Sequence, residues 1–133
     1  MNYHSSNFSE IVIFLEKQII IQNWHKKTSF MTDNQFLKEM SHLKKAVVNH
    51  NPCSLLVNMS EFRFIVSPEL QLWVNKNVNK SIVENKIKKV AFVRSQDDIA
   101  AISVNQTITE DEGLGMNSKI FNSADDAEKW LSK

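Results

Sequence analysis

Two uninterrupted apolar runs, residues 55–57 and 90–93, constrain the fold of this chain most. A strand with one face in water alternates apolar and polar side chains, whereas a short run that is apolar at every position fits a strand buried on both faces. Helices cover both faces of such strands in α/β proteins. We therefore predict that the two runs lie side by side in the middle of one sheet, with helices on each side.

The residues before the first run predict an antiparallel hairpin followed by a helix. Residues 11–15 and 19–24 are rich in β-branched and aromatic side chains and are separated by three polar residues. Thr32 and Gln35 form the T-x-x-Q pattern of a helix N-terminus, and Asn51 before Pro52 ends the helix. Its apolar stripe is Phe36, Met40, Leu43 and Val47, with Lys38, Glu39, Lys44 and Lys45 on other faces.

A second helix is predicted between the two runs. Ser67, Pro68 and Glu69 combine a capping residue, a proline at the first helical position and an acid in the first turn, and the helix should end near Asn85. Its inner face is predicted to carry Leu70, Trp73, Val74, Val78 and Ile82, with Gln71, Asn75, Lys76 and Lys80 outside.

The last third of the chain predicts two more helices and an outer strand. Asp97 and Asp98 precede a short helix over residues 99–102, and residues 110–118, with both glycines and three adjacent acids, predict a loop. Residues 119–121 predict an outer strand, and Ser123 with Asp126 caps a final helix. The order ββαβαβαβα predicts an α/β fold: a mixed sheet with an opening antiparallel hairpin and helices covering it, joined by right-handed crossovers.

Composition narrows the class of protein. The 133 residues predict a single domain over residues 1–133, and 16 basic against 15 acidic side chains argue against a nucleic-acid partner. A polar start and the lack of a long apolar run predict a cytoplasmic protein with no membrane span. The one cysteine and two glycines exclude a disulfide framework, a zinc cluster and glycine-rich phosphate loops, so no cofactor and no metal is predicted.

Part of the chain resembles a known family. Residues 55–59, Phe62, residues 64–65, Ser67 and Leu70 resemble the strand-loop-helix core of STAS domains, the anti-sigma-factor antagonist fold. Residues 24–131 are similar to small stand-alone bacterial SpoIIAA-like proteins, which share their fold with CRAL-TRIO lipid-binding domains, most of all in segments 67–73, 89–93 and 121–131.

The resemblance implies a non-enzymatic regulatory domain that acts by contact with a partner protein or with a second copy as a homodimer. The alternative that it implies is a binder or sensor of a small apolar or lipid-like molecule in a CRAL-TRIO-like pocket.

Ser67 is a candidate phospho-acceptor on the strength of this resemblance. In STAS antagonists the serine that opens this helix lies in a D-S-[ST]-G pattern and is phosphorylated by a partner kinase. Here the stretch reads Val66-Ser67-Pro68-Glu69, so the serine is kept but the acid and the glycine are not. A capping role alone also explains a serine before proline, and both roles remain open.

Three aromatic residues are candidates for a ligand pocket. Phe62, Phe64 and Trp73 follow the carboxyl end of the first apolar run, which is where ligands bind in open α/β sheets. Packing in the core is the competing interpretation for each of them. Nearby lysines offer a positive surface for an anionic head group or an acidic protein: Lys76, Lys80, Lys86, Lys88 and Lys89.

No group of residues predicts catalysis. His50 lies near Cys53 as a base would lie near a catalytic thiol, but Cys53 opens an apolar strand, where an inert thiol is the ordinary case. His25 and His42 are isolated among polar residues and are expected at the surface. Residues 110–112 lack the alternating spacing of a calcium loop. We expect a protein that is not an enzyme.

Overall fold

A mixed β-sheet forms the centre of the protein. The computed structural model describes residues 1–111 and 116–133, and for residues 106–111 the backbone alone. The described residues form six strands that neighbour one another in chain order. The first three strands pair antiparallel and the third to the sixth pair parallel, which confirms the predicted α/β class and mixed sheet. The strands are β1 (Asn2–Ser5), β2 (Ser9–Phe14), β3 (Ile19–Trp24), β4 (Ser54–Asn58), β5 (Lys89–Val93) and β6 (Ser118–Phe121).

The helices divide unequally between the two faces of the sheet. They are α1 (Asp33–His50), α2 (Pro68–Val74), α3 (Lys80–Glu84), α4 (Asp98–Asp111) and α5 (Ala124–Leu131), with a π-helical turn (Asn75–Asn79) joining α2 to α3 and a 3-10 turn (Lys26–Phe30) before α1. The elements α1 to α4 share one core cluster, and α5 packs on the opposite face over β4, β5 and β6. Strands β3 to β6 are parallel and neighbour one another in chain order. Right-handed connections between such strands place their helices on the same face of the sheet.

The two apolar runs occupy the positions predicted for them. β4 lies between β3 and β5, and β5 lies between β4 and β6. In β4, Leu55 and Val57 belong to the larger core under α1 to α4, whereas Leu56 packs with Ala127 of α5 in the smaller one. Both runs are therefore central strands with helices on each side.

Local sequence signals are confirmed where they depend on neighbouring residues. The backbone N–H of Gln35 donates to Thr32 Oγ1 over 3.2 Å and the N–H of Thr32 donates to Gln35 Oε1 over 2.8 Å, which completes the capping box. Ser123 caps α5 by accepting from the backbone N–H of Asp126 over 3.2 Å. The hairpin pairs Phe14 with Ile19, and its turn places Gln18 in the left-handed region at φ 53°.

The predicted element order is wrong at the N-terminus. The chain begins with an additional strand, β1, so the order has three strands before α1. This edge strand carries exposed Asn2 and Ser5, and it is held by pairing with β2 and by the N-terminal ammonium donating to Ile13 O over 2.8 Å. Sequence periodicity missed it because few of its side chains are apolar.

Two helical predictions are also corrected. The helix predicted over residues 99–102 extends from Asp98 to Asp111, so Glu110 and Asp111 of the predicted loop are helical, and residues 112–115 of that loop lie outside the described residues. Glu39 and Gln71, predicted on outer faces, are buried. Each has polar partners inside the fold. Glu39 accepts from the hydroxyl groups of Ser6 and Ser9, and Gln71 donates to the carbonyl oxygen of Val66.

Candidate ligand-binding cavity

An aromatic cluster fills one end of the larger core. Trp24 ends β3, Phe36 lies in the first turn of α1, and Phe62 and Phe64 come from the connection after β4. The ring centroids of Trp24 and Phe62 are 5.0 Å apart, and those of Phe36 and Phe64 are also 5.0 Å apart. These rings form a rigid wall at the carboxyl end of β3 and β4.

A cavity of about 60 Å³ lies beside this wall, between the sheet and the helices α1 to α4. Most of its lining is aliphatic or aromatic, so it offers a small ligand an apolar surface. The lining residues are Gln22, Trp24, Phe36, Met40, Leu43, Leu55, Val57, Met59, Val66, Val74, Val78, Asn79, Ile82, Phe92 and Val104.

Two polar side chains in the cavity wall have unsatisfied hydrogen-bonding atoms. Gln22 is 0% exposed and Trp24 is 3% exposed. Among the described residues, Gln22 Oε1, Gln22 Nε2 and Trp24 Nε1 find no hydrogen-bond partner. Leaving a buried donor or acceptor unpaired costs about 1–3 kcal/mol.

Strand alternation places these two side chains together. β3 alternates half-buried and buried positions, so Ile20, Gln22 and Trp24 all point to the face under α1 to α4. Sequence analysis did not identify Gln22 as a candidate site residue, because the hairpin was predicted from its apolar residues. The available signal was a glutamine on the inward face of a strand between Ile20 and Trp24.

The π-helical turn forms the opposite wall of the cavity. Leu70, Val74, Val78 and Ile82 are spaced four residues apart, and this spacing drifts around an α-helix because four residues exceed one turn. A turn with i→i+5 bonding is wider and cancels the drift, so Val74, Val78 and Ile82 all reach the core. Asn77 Nδ2 supports this wide turn by donating to Trp73 O over 2.9 Å.

The three aromatic residues predicted to line a pocket belong to the larger core or pack against it. Phe62 and Phe64 are buried behind Trp24 and Phe36, and Trp73 is half-buried against the larger core. The walls of the cavity are made by other residues. A ligand-binding role for Phe62, Phe64 and Trp73 stays a prediction.

Ser67 has the capping geometry that its sequence position predicts. Its Oγ accepts from the backbone N–H of Leu70 over 3.3 Å, and Pro68 occupies the first position of α2. The side chain is half-buried. The geometry accounts for Ser67 as a cap, and its phosphorylation stays a prediction.

The remaining titratable candidates are separate from the cavity. Cys53 Sγ donates to Gln18 Oε1 over 2.6 Å, while the ring of His50 packs edge-on against Tyr3. His25 is half-buried at the start of the 3-10 turn. Lys89, one of the five lysines, donates from Nζ to Trp130 O over 2.9 Å and so ties β5 to α5.

His42 is not the isolated surface residue that the sequence predicts. Its ring stacks on that of His4 with centroids 3.9 Å apart, and His4 Nε2 lies 3.2 Å from Oε1 of buried Glu39. Burial and, after it, the neighbouring His4 lower the pKa of His42 from 6.5. Sequence reasoning missed this cluster because it missed β1, which carries His4.

Comparison with family models, with curated proteins and with solved structures finds no match to this chain. Among the described side chains, no group of three or more His, Cys, Asp or Glu is placed to hold a metal ion. No helix in the described part of the chain combines the length and the apolar character needed to cross a bilayer.

Proposed function

We propose that this protein is a non-enzymatic carrier or sensor that binds a small, mainly apolar molecule in the core cavity. The observation that carries the proposal is the apolar cavity itself, whose lining includes two buried side chains, Gln22 and Trp24, with polar atoms that are unpaired within the described residues. Unpaired buried polar atoms lower stability, and natural proteins commonly accept such a loss at functional sites.

The test is a titration with xenon, an apolar atom small enough for a cavity of about 60 Å³, followed through the indole N–H signal of Trp24 in ¹H–¹⁵N NMR spectra. That signal is identified by its loss in Trp24→Phe. We expect a saturable shift in the wild-type protein, because Trp24 is one of the residues that line the cavity. The Val78→Phe variant, whose ring takes up most of the cavity, should show no shift.

A matched control separates filling of the cavity from a general effect of the larger ring. Val48→Phe makes the same change on the exposed side of α1 and should bind as the wild type does. If Val78→Phe does not fold, Val78→Leu fills the space less and should weaken binding. An unchanged Trp24 signal in the wild type, or a shift that persists in both filled variants, would refute the proposal.

A second candidate function is that of a STAS-like interaction domain, and an exposed apolar patch near Ser67 favours it. Ile65, Leu72, Ile99 and Ile102 are all more than half exposed. Ile65 is beside α4, since the N–H of the next residue donates to Ser103 Oγ over 3.1 Å. Clustered exposed apolar side chains mark contact surfaces. Glu69 lies in the first turn of α2 and Asp98 in the first turn of α4, the helices that carry Leu72, Ile99 and Ile102, so acidic side chains accompany the apolar ones and suit a partner surface with basic residues beside an apolar centre.

Photo-crosslinking tests this second candidate. A photo-reactive amino acid at Leu72 should yield one defined adduct in the native host, and the same group at Val48, also exposed on a helix, should not. The purified partner should bind the Ile99→Asp variant less tightly than the wild type, and high salt should also weaken its binding to the wild type. The Ser67→Asp variant should bind the partner with a changed affinity but should keep the melting temperature of the wild-type protein. Equal adducts at both positions would contradict this function, and a Ser67→Asp variant that changes only stability would leave Ser67 as a cap.

A further inference from the structure

The hairpin of β2 and β3 carries apolar residues on both of its faces. Residues 11–15 and 19–21 are uninterrupted apolar runs. An antiparallel strand with one face in water alternates apolar and polar side chains, whereas a run that is apolar at every position fits a strand covered on both faces. The same signal in β4 and β5 goes with packing on each side of the sheet. The second face of the hairpin is therefore expected to be covered as well.

The described part of the chain leaves much of that second face open. The helix α5 lies on this face but packs over β4, β5 and β6. Ile19 and Ile21 of β3 reach the edge of the smaller core and stay half-buried. Phe14 at the end of β2 is 43% exposed, and Leu15 in the turn is 63% exposed. Adjacent exposed apolar side chains of this size mark a contact with another molecule.

A groove of about 760 Å³ lies between this hairpin and α5. Its apolar lining comes from the hairpin and from the end of α5: Phe14, Ile19, Ile21 and Leu131. Phe14 thus borders the groove, and the exposed side chain of Leu15 follows it in the turn. The same surface therefore offers both a recess and exposed apolar side chains beside it.

The charges at the groove favour a second copy of this chain as its occupant. Lys17 lies on the hairpin side, and Asp125, Glu128 and Lys129 lie on the α5 side. A partner surface or a lipid head group of one charge would meet a like charge in this groove. In a dimer with two-fold symmetry, each surface meets its own copy and so must carry charges of both signs and complementary shapes. The groove and the hairpin beside it have these properties.

We propose that this face is the interface of a homodimer, in which the hairpin turn of each copy packs into the groove of the other. This exchange covers Phe14 and Leu15, which the monomer exposes to water. It also brings Lys17 of each copy next to Glu128 on α5 of the second copy. The core cavity stays accessible in such a dimer, because it lies on the opposite face of the sheet, under α1 to α4.

Sedimentation equilibrium of the purified protein tests this interface. We expect the wild type to be a dimer at micromolar concentrations. Phe14→Asp should raise the dissociation constant about 100-fold or more, because each copy then buries a carboxylate in an apolar contact. Phe30→Asp is the matched control, since Phe30 is 83% exposed on the 3-10 turn at the other end of β3, and it should dimerise as the wild type does. If Phe14→Asp does not fold, Leu15→Asp in the turn should weaken the dimer instead.

Charge reversal tests the predicted contact between the two copies. Lys17→Glu and Glu128→Lys should each raise the dissociation constant about two- to fivefold, because both symmetry-related contacts then join like charges. When the two variants are mixed, each contact joins opposite charges, so a heterodimer should form in preference to either homodimer. A contact within one chain would give no such preference.

Three results would overturn the inference. The first is a wild-type protein that stays a monomer at these concentrations, including a monomer that carries a bound apolar molecule in native mass spectra. The second is a dimer that both Phe14→Asp and Leu15→Asp leave unchanged, because its interface would then lie elsewhere. The third is a mixture of the charge-reversed variants without preference for the heterodimer. None of these results bears on xenon binding in the core cavity, so this inference and the proposed function can fail separately.

Discussion

At the scale of the residue, two buried glutamines differ in whether their amide groups find hydrogen-bond partners. Gln71 is buried under α2, and its Nε2 donates to Val66 O over 3.0 Å. Gln22 is at least as deeply buried, but within the described residues its amide atoms have no such partner. This contrast supports the proposed ligand-binding cavity beside Gln22.

Replacing each glutamine by leucine should change stability in opposite directions. Gln22→Leu should raise the free energy of unfolding of the ligand-free protein by about 1–3 kcal/mol, because it removes unpaired polar atoms from an apolar space. Gln71→Leu should lower it by about as much, because the buried carbonyl of Val66 loses its donor. Urea denaturation of the two variants beside the wild type measures both changes. Destabilisation by Gln22→Leu would show that the amide is already satisfied in the free protein.

At the scale of the element, the π-helical turn decides which residues face the cavity. Without it, the four-residue spacing of Leu70, Val74, Val78 and Ile82 would carry the last of them away from the core. A run of apolar residues at a strict four-residue spacing is therefore a sequence signal for such a turn. Turns of this kind inside α-helices are frequently found at functional sites.

Deletion of Asn77 should convert α2, the π-helical turn and α3 into one regular α-helix. The apolar spacing then becomes four, three and four, which follows the period of 3.6 residues. We expect a folded protein whose free energy of unfolding is at least as high as that of the wild type to within about 1 kcal/mol. Xenon binding should be lost, because the wall of the cavity changes.

Backbone chemical shifts and the Trp24 titration check the two parts of this prediction. Asn77→Ala is the control, because it removes the bond to Trp73 O but keeps the register, and it should retain both the π-helical turn and binding. Full binding by the deletion variant would show that the turn does not shape the cavity.

The junction of β1 with α1 is a second feature at this scale. Ser6 Oγ and Ser9 Oγ each donate to Glu39 Oε1 over 2.7 Å, and His4 contacts the same carboxylate. Burial lowers the pKa of the nearby His42. The neighbouring His4, Lys45 and Lys38 lower it further, whereas Glu39 raises it. These contacts attach an edge strand that has little apolar surface of its own.

The stability of the protein should therefore depend on pH through His42. The unfolded chain takes up the His42 proton near pH 6.5, whereas the folded protein takes it up only at lower pH, so the unfolded state binds more protons between those values. The free energy of unfolding should fall as the pH falls through this window, and His42→Gln should flatten the fall in urea denaturation series. His25→Gln, outside the cluster, should keep the wild-type profile. An unchanged profile in His42→Gln would contradict the assignment.

At the scale of the whole molecule, the sheet order explains why the cavity lies on one face. Strands β3 to β6 run parallel and advance in chain order, and the connecting helices α1 to α4 all contribute to the same core. This face must accommodate several helices and the connection after β4, and the cavity remains where they meet. The opposite face is covered over β4 to β6 by α5, which packs tightly enough through Ala127 and Trp130 to form a small core of its own.

The sequence by itself determined the features that depend on near neighbours. The caps at Thr32, Ser67 and Ser123 need only residues three positions away, and the two apolar runs identify buried strands because such runs are unstable in water. The α/β class followed from the alternation of these elements.

Only the tertiary structure decided the site. Gln22 on β3, Met40 on α1 and Val78 in the π-helical turn are far apart in the chain and meet only after the helices pack on the sheet. The contact of buried Glu39 with His4 likewise depends on β1. This strand forms because it pairs with β2, and its amino-acid composition does not predict it. Local propensity acts over a few residues, whereas the shape of a cavity and the pairing of buried polar atoms depend on contacts between distant segments.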